Sequence, residues 1–413
     1  MSHVVGACTR RALVRKYTYF AITNYGVCVW GPNGKNVARI AHSSPWCFRG
    51  LGGFWLVSVY KIDVSSICQE GISTPDQCGQ RCTCVGGRLV NCVRIRKEFT
   101  SMTSDERSLY VSVIKTASTD PRFKPDYDNL INEHRRLFFS GIHHVTHFLT
   151  WHRYFILLYE NLLRRVDCSV TVPYWDWSKM PGSAFNTTAA SSIWSSEDSG
   201  LGGDGEGIYS CVQTGPFRQD VWSIVPLPPG IPTGPGPRCL ARMFFGTPPD
   251  AIAVQRVLDI PLGNFSDFEL MLRVNLHDLV HCLIDGTMCS LDSATAPEFF
   301  LHHGFVDKIW NDWQKKSESH KNVFFSNMSQ RMPGTQVLPS KVLDLSQQPG
   351  GIRIEYQPVL SLSWRKFPKI PRRKRFSSLN DRIFKLFHLS KAEIKRAKEM
   401  EKKLQPKSEH FHR

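Results

Sequence analysis

The spacing of apolar positions changes several times along the chain, and those changes mark its parts. From Ser101 onward the apolar residues fall three and four apart. Ser101 or Thr103 stands where a cap is expected for a helix through Arg107, Tyr110 and Ile114. Leu130, Leu137 and Phe138 keep helical spacing across Tyr127–Phe139. Thr150–Val166 reads as a strongly amphipathic helix, its faces marked by Tyr154, Leu157, Leu158, Asn161 and Leu162. The same spacing predicts helix over Phe265–Leu283 and again over Phe299–Gln314. Residues 178–240 have no period, and their glycines at 200–207 and prolines at 226–237 predict irregular loops. The expected organisation is a segment 1–67 without clear periodicity, a cysteine-rich module 68–92, and a helical domain 93–320. An extended, turn-rich linker 321–375 and a basic amphipathic tail 376–413 complete it.

No apolar run approaches the roughly 20 residues that a spanning helix needs. The best stretch, Leu51–Tyr60, is about half that length, so no membrane span is expected. Met1–Lys16 has no apolar core of a signal peptide.

Charge alters the picture only at the end of the chain. The formal net charge is +16, and residues 365–413 hold 17 Lys/Arg against 5 Asp/Glu. The remainder is close to balanced, so a general nucleic-acid-binding role loses its support.

Cysteine usage points to an oxidising compartment. Five of the 13 cysteines, Cys68, Cys78, Cys82, Cys84 and Cys92, crowd one short stretch. Disulfide stapling and a zinc site compete there; the absence of paired C-x2-C knuckles favours disulfides. Sequons at Asn186, Asn264 and Asn327 agree with secretion and a glycoprotein. Cys282 and Cys289 flank a turn at Asp285-Gly286, and a short loop brings them within bridging range; pairing of either with Cys239 or Cys211 is the alternative.

Nine of the 15 histidines fall in three groups: His134, His143, His144, His147 and His152; His277 and His281; His302 and His303. His277 and His281 are four apart in a helical segment, so both rings face one side. Such a pair is a common half-site for zinc or copper, and is as often a surface or core pair. Three helices with inward histidines can build a metal site inside a bundle. No HExxH is present, which leaves a zinc protease unsupported.

Two long segments are recognisable. His143-His-Val-Thr-His-Phe-Leu-Thr-Trp-His152-Arg, followed by Glu160, resembles the first copper-binding signature of the tyrosinase family. Pro297-Glu-Phe-Phe-Leu-His-His303-Gly-Phe-Val-Asp307 resembles the second. Val274–His281 is similar to that family's other copper helix, and Pro173-Tyr-Trp-Asp-Trp177 to a further family element. The resemblance covers about residues 93–320.

It implies a mainly α fold, a four-helix-bundle core holding two copper ions, CuA and CuB. It implies His134, His143 and His152 as CuA ligands, and His277, His281 and His303 as CuB ligands. His303 is preferred to His302 because it stands four before Asp307. His144, His147 and His302 are then structural. Phe299 is expected against the CuB histidines, in a cofactor-binding or plain packing role. Glu269 and Asp278 are expected as acids that help to deprotonate a phenol, against the alternative of solvated helix-face carboxylates. Thr150 stands where the family usually has proline and Ala296 where it has aspartate. Gly141 replaces the cysteine that some members link to a CuA histidine, so that thioether is not expected.

The implied activity is hydroxylation of monophenols and oxidation of o-diphenols to o-quinones with O2. The alternatives are o-diphenol oxidation alone, oxygen binding, or a matrix protein with little activity. Expected partners are O2 and phenolic small molecules or tyrosyl side chains, outside the cell. The basic tail adds two expectations. Arg372-Arg373-Lys374-Arg375 matches a furin-type cleavage pattern, and family members held latent by a C-terminal extension suggest that residues 376–413 cover the copper entrance. The same charge suits a tether to acidic extracellular matrix.

Overall fold

The computed structural model describes residues 8, 12, 19–23, 27–29, 57–61, 68, 71–143, 147–230, 236–325, 328–358 and 379–404. The chain divides into two compact units, residues 1–76 with 82–91, and residues 77–81 with 92–413. His144, Asn327 and the basic run 372–375 lie outside the described residues.

In the first unit, β1 (Tyr19–Thr23) lies between β2 (Val27–Val29) and β3 (Val57–Lys61), antiparallel to both. Ala21 faces Val29 on one side and Val59 on the other. Phe20 stacks on Tyr60 at 5.0 Å, a cross-strand aromatic pair. β4 (Ser73–Pro75) and β5 (Arg81–Val85) precede β6 (Arg88–Arg96). Gly86 and Gly87, both at positive φ, make the two-residue turn between β5 and β6. Cys82 and Cys84 point inward from β5, and Cys84 is bridged to Cys68. All five cysteines of the 68–92 stretch are disulfide-bonded, which removes the thiolates a zinc site needs.

The second unit is helical. After β6 come α1 (Ser104–Thr119), α2 (Lys124–Leu137) and α3 (Phe148–Val166). Thr103 caps α1: its side chain accepts from the Glu106 amide, and Glu106 accepts from the Thr103 amide. Two short strands, β7 (Gly205–Glu206) and β8 (Cys211–Val212), lie in the long loop region, which is pinned by the Cys211–Cys239 disulfide. α4 (Ala251–Leu258) leads to a continuous helical run of α5 (Phe265–Leu270), a π-helical segment Met271–Asp278, and α6 (Leu279–Ile284). α7 (Glu298–Gln314) follows, and β9 (Arg353–Tyr356) pairs in parallel with Val93–Arg96 of β6. The last described elements are α8 (Asp381–Leu386) and α9 (Lys391–Leu404).

α3 is the central helix, packed against α1, α2 and α7, and the π-helical segment packs against α7. Buried ion pairs set the register of this assembly. Arg153, next to His152, meets Asp307, one turn after His303, at 2.5 Å. Arg153 also lies 3.7 Å over the Trp310 ring. Tyr356 donates to the other Asp307 oxygen at 2.6 Å. Glu160 accepts from Arg96 at 2.9 Å, tying the far end of α3 to β6. Glu298, at the start of α7, pairs with Arg242, which also donates to the carbonyls of Leu201, Gly202 and Gly203. Charges buried this deeply are tolerated because each is paired and hydrogen-bonded. The Cys78–Cys168 disulfide fastens residues 77–81 to the end of α3.

The C-terminal helices dock on this unit. Leu379, Ile383, Phe384, Phe387 and Ala397 share one apolar cluster with Leu270, Val274, Leu279, Leu283 and the Cys282–Cys289 pair. Three ion pairs ring that cluster: Arg382 with Asp285, Glu393 with Arg273, and Arg396 with Asp267.

Candidate metal centre

The six histidines expected as ligands are brought together, and each is at most 4% exposed. His134 comes from the last turn of α2, His143 from the turn after it, and His152 from the first turns of α3. Each of these three offers a ring nitrogen within 4.8 Å of the others. His277 lies in the last turn of the π-helical segment and His281 one turn on, in α6. His303 projects from α7, with its Nε2 3.1 Å from both His277 Nε2 and His281 Nε2. The two groups adjoin: the His152 and His303 rings stack at 4.5 Å.

The back of each ring decides what its front can do. His143 Nδ1 faces the Phe138 carbonyl at 3.1 Å, and His152 Nδ1 faces the Phe148 carbonyl at 2.9 Å. His281 Nδ1 faces the Met288 carbonyl at 2.7 Å, and His277 Nδ1 faces Asp278 Oδ1 at 2.7 Å. All four partners accept, so the proton sits on Nδ1 and the Nε2 lone pair points inward, as metal ligation requires. Burial holds the six rings well below the ordinary histidine pKa, which keeps them neutral; for His152 the value falls to about 3 and for His281 to about 4.

Both nitrogens of His134 and Nε2 of His152 are buried without a hydrogen-bond partner. Nε2 atoms of His277, His281 and His303 crowd together with at most one proton among them. A soft-to-borderline cation in each group satisfies one inward nitrogen of each ring, His134 keeping its other nitrogen unpartnered, and imidazole suits copper. The residues present therefore fit a pair of copper ions.

His302 competes with His303 for the second group, since its ring also offers a nitrogen within 4.8 Å of those of His277 and His281. Tautomer chemistry separates them. Trp177 Nε1 donates to His302 Nδ1 at 3.2 Å. That leaves the proton on His302 Nε2 and removes its inward lone pair. Trp177, the last residue of the Pro-Tyr-Trp-Asp-Trp element, thus backs His302, whose Nε2 is buried without a partner, as is Nδ1 of His303. His147 stands just before α3, makes no side-chain capping hydrogen bond there, and joins neither group.

Phe299 is fully buried, with its ring 4.0 Å from His303, 5.0 Å from His134 and 5.7 Å from His281. It touches both groups, not only the second. Glu269 and Asp278 are also fully buried, so neither is a solvated surface carboxylate. Glu269 lies against Arg273 at 2.6 Å, while Asp278 backs His277. Burial raises the pKa of both acids, and Arg273 opposes the rise.

Phe387 packs on the site from the C-terminal segment, 5.6 Å from the His143 ring, 5.8 Å from His277 and 6.1 Å from His281. The amphipathic pattern expected for residues 376–413 carried no signal of where its apolar side would dock.

Residues 119–316 match the family model described as the common central domain of tyrosinase. A tyrosinase of Streptomyces lincolnensis is 31% identical over 246 residues, covering 54% of this chain and 83% of that protein. The chain belongs to the tyrosinase family. The tyrosinase of Streptomyces antibioticus is 29% identical over 249 residues, with 54% and 84% covered. Among solved structures, a polyphenol oxidase from Thermothelomyces thermophila matches with a TM-score of 0.49 at 21% identity, covering 68% of this chain and 91% of that one. A hemocyanin from Rapana thomasiana matches at 0.42 and 17%, covering 64% and 69%. At these scores membership rests on the sequence relatives and on the histidines. As a family member the chain is a tyrosinase-like, copper-dependent phenol oxidase whose two histidine groups fit the dinuclear copper centre.

Proposed function

We propose that this tyrosinase-family chain hydroxylates monophenols and oxidises o-diphenols to o-quinones with O2. One copper is held by His134, His143 and His152 and the other by His277, His281 and His303, inside a four-helix bundle of α2, α3, the 265–284 run and α7. The observation that carries this reading is the set of Nδ1 atoms anchored to acceptors, with their Nε2 atoms left to converge in two groups. Copper bound there supplies the one-electron exchange with O2 that no side chain offers. The protein's own part is to fix the rings, exclude water and manage the phenol proton. A free phenol has a pKa of about 10, and Asp278, behind His277, and Glu269, two helical turns before it, are the acids proposed for that task. The test is copper analysis combined with turnover of a monophenol and a catechol. Two coppers with turnover of both supports the reading; turnover of the catechol alone reduces it to an o-diphenol oxidase, and oxygen binding without turnover to a carrier or matrix protein.

The C-terminal segment is proposed as a removable lid, because Phe387 seals the rings while α8 and α9 are clamped by three ion pairs. On α9, Lys391, Lys395 and Lys402 are exposed, and Lys398 is exposed with its ammonium 4.9 Å over the Phe384 ring. These lysines suit a tether to anionic matrix, and such binding should weaken sharply with salt. Secretion is supported by the 12 disulfide-bonded cysteines. Asn186 is exposed and held in a turn by Thr188, the geometry of an accessible glycosylation site.

A further inference from the structure

His281 is held from behind by a loop that closes on itself. Its Nδ1 lies 2.7 Å from the carbonyl oxygen of Met288. The neighbouring residues Cys282 and Cys289 are joined by a disulfide, with their Cα atoms 4.6 Å apart. A covalent link and a hydrogen bond therefore run side by side across the same short turn.

The other anchored rings are differently supported. His152 takes the Phe148 carbonyl one helical turn earlier, and His143 takes the Phe138 carbonyl at the end of α2. His277 takes the carboxylate of its own neighbour, Asp278. Only His281, among these four, depends on a carbonyl that lies across a loop beyond the end of its helix. That loop is not one the backbone favours unaided. Asp285 has φ 59° and Gly286 has φ 55°, two successive left-handed residues of which one carries a side chain. A Cβ at Gly286 would stand 2.3 Å from the Ala241 oxygen, so the turn is also pressed against its neighbour. Cys282 and Cys289 are both buried, which shields the bridge from exchange.

We infer that the Cys282–Cys289 disulfide is a positioning device for His281. By fixing the Met288 carbonyl it sets the rotation of the ring and keeps its proton on Nδ1, so that the Nε2 lone pair faces the metal. Cys282 and Cys289 touch neither metal nor substrate and act through His281. The inference rests on the proposed assignment of His281 as a copper ligand.

The experiment measures copper affinity of each half-site by chelator competition in the full chain. In a His134→Asn background copper binds to the second group alone. There, the Cys282→Ala/Cys289→Ala pair should weaken binding tenfold to a hundredfold, the usual cost of losing a partner behind a ligating histidine. In a His281→Asn background, where only the first group binds, the same pair should change nothing. Equal affinity with and without the bridge in the first background overturns the inference. So does an equal loss in both backgrounds, because that marks a general structural staple. Should the alanine pair fail to fold, as judged by helix content of the copper-free chain, Cys282→Val/Cys289→Ala fills the same volume without the bridge and is read the same way. A His134→Asn chain with its disulfide intact that binds no copper refutes the ligand assignment instead, a different result from either of these.

Discussion

Replacing Phe387 with alanine removes the one side chain of the C-terminal segment, among the described residues, that rests on three of the copper-site rings. Phe387 is 3% exposed and also packs on Phe138 at 5.8 Å. It precedes His388, whose positive φ of 50° turns the chain between α8 and α9, so the aromatic ring is delivered at a bend. Full burial of such a side chain is worth about 1.5–3 kcal/mol. If the segment opens and closes over the site, Phe387→Ala shifts that equilibrium by about 2 kcal/mol, on the order of 30-fold at 1.4 kcal/mol per decade. Arg396→Ala breaks the pair with Asp267, but Arg396 is half exposed, so screening limits its effect to about 0–1 kcal/mol. The assay is the initial rate of oxygen uptake on a catechol by the copper-loaded full chain. The rate should rise strongly with Phe387→Ala and at most about fivefold with Arg396→Ala. Neither should exceed the rate of a chain ending at Arg375, which sets the ceiling. A faster truncated chain with an unchanged Phe387→Ala variant would refute the sealing role of this ring, and an unchanged truncated chain would refute the lid altogether.

Three further outcomes follow from the same geometry. His303→Ala should cost one copper per chain and His302→Ala none, because Trp177 holds His302 in the non-ligating tautomer; elemental analysis distinguishes them. The copper-free chain should lose stability as pH falls. A histidine whose folded pKa is lowered contributes fully above its unfolded value of about 6.5, and the contribution is lost between there and the folded value. For His281 and His152 the folded values are about 4 and about 3, so Tm of the copper-free chain should fall between pH 6.5 and 4; a flat Tm across that window contradicts the buried, neutral rings. Glu269→Gln should reduce monophenol hydroxylation more than catechol oxidation, and equal losses on both substrates would reduce Glu269 to a partner of Arg273.

The sequence made much of this centre legible, for reasons that differ by residue. The helices showed because each has one apolar face, and of the two expected caps, Ser101 and Thr103, the second starts α1. The histidines showed because metal ligation needs particular residue types at spacings that a helix enforces. The Cys282–Cys289 bridge was legible because its turn is short. Other features carried no local signal. The π-helical turns at Met271–Asp278 had no signature in the apolar spacing, so counting two α-turns from Glu269 to His277 did not describe the helix between them. Strands β5, β6 and β9 are rich in polar residues, and the pairing of β6 with β9 joins positions far apart in sequence. Phe387 read as one apolar residue among several, since its place over the rings is a property of tertiary docking.

The most direct test of the central claim is copper stoichiometry per chain in the wild type and in two single variants, His152→Asn and His277→Asn, each measured on protein of unchanged helix content. Two coppers in the wild type and about one in each variant is the result predicted for two adjoining three-histidine sites. A wild-type chain that binds fewer than two, or variants that keep both, would contradict it.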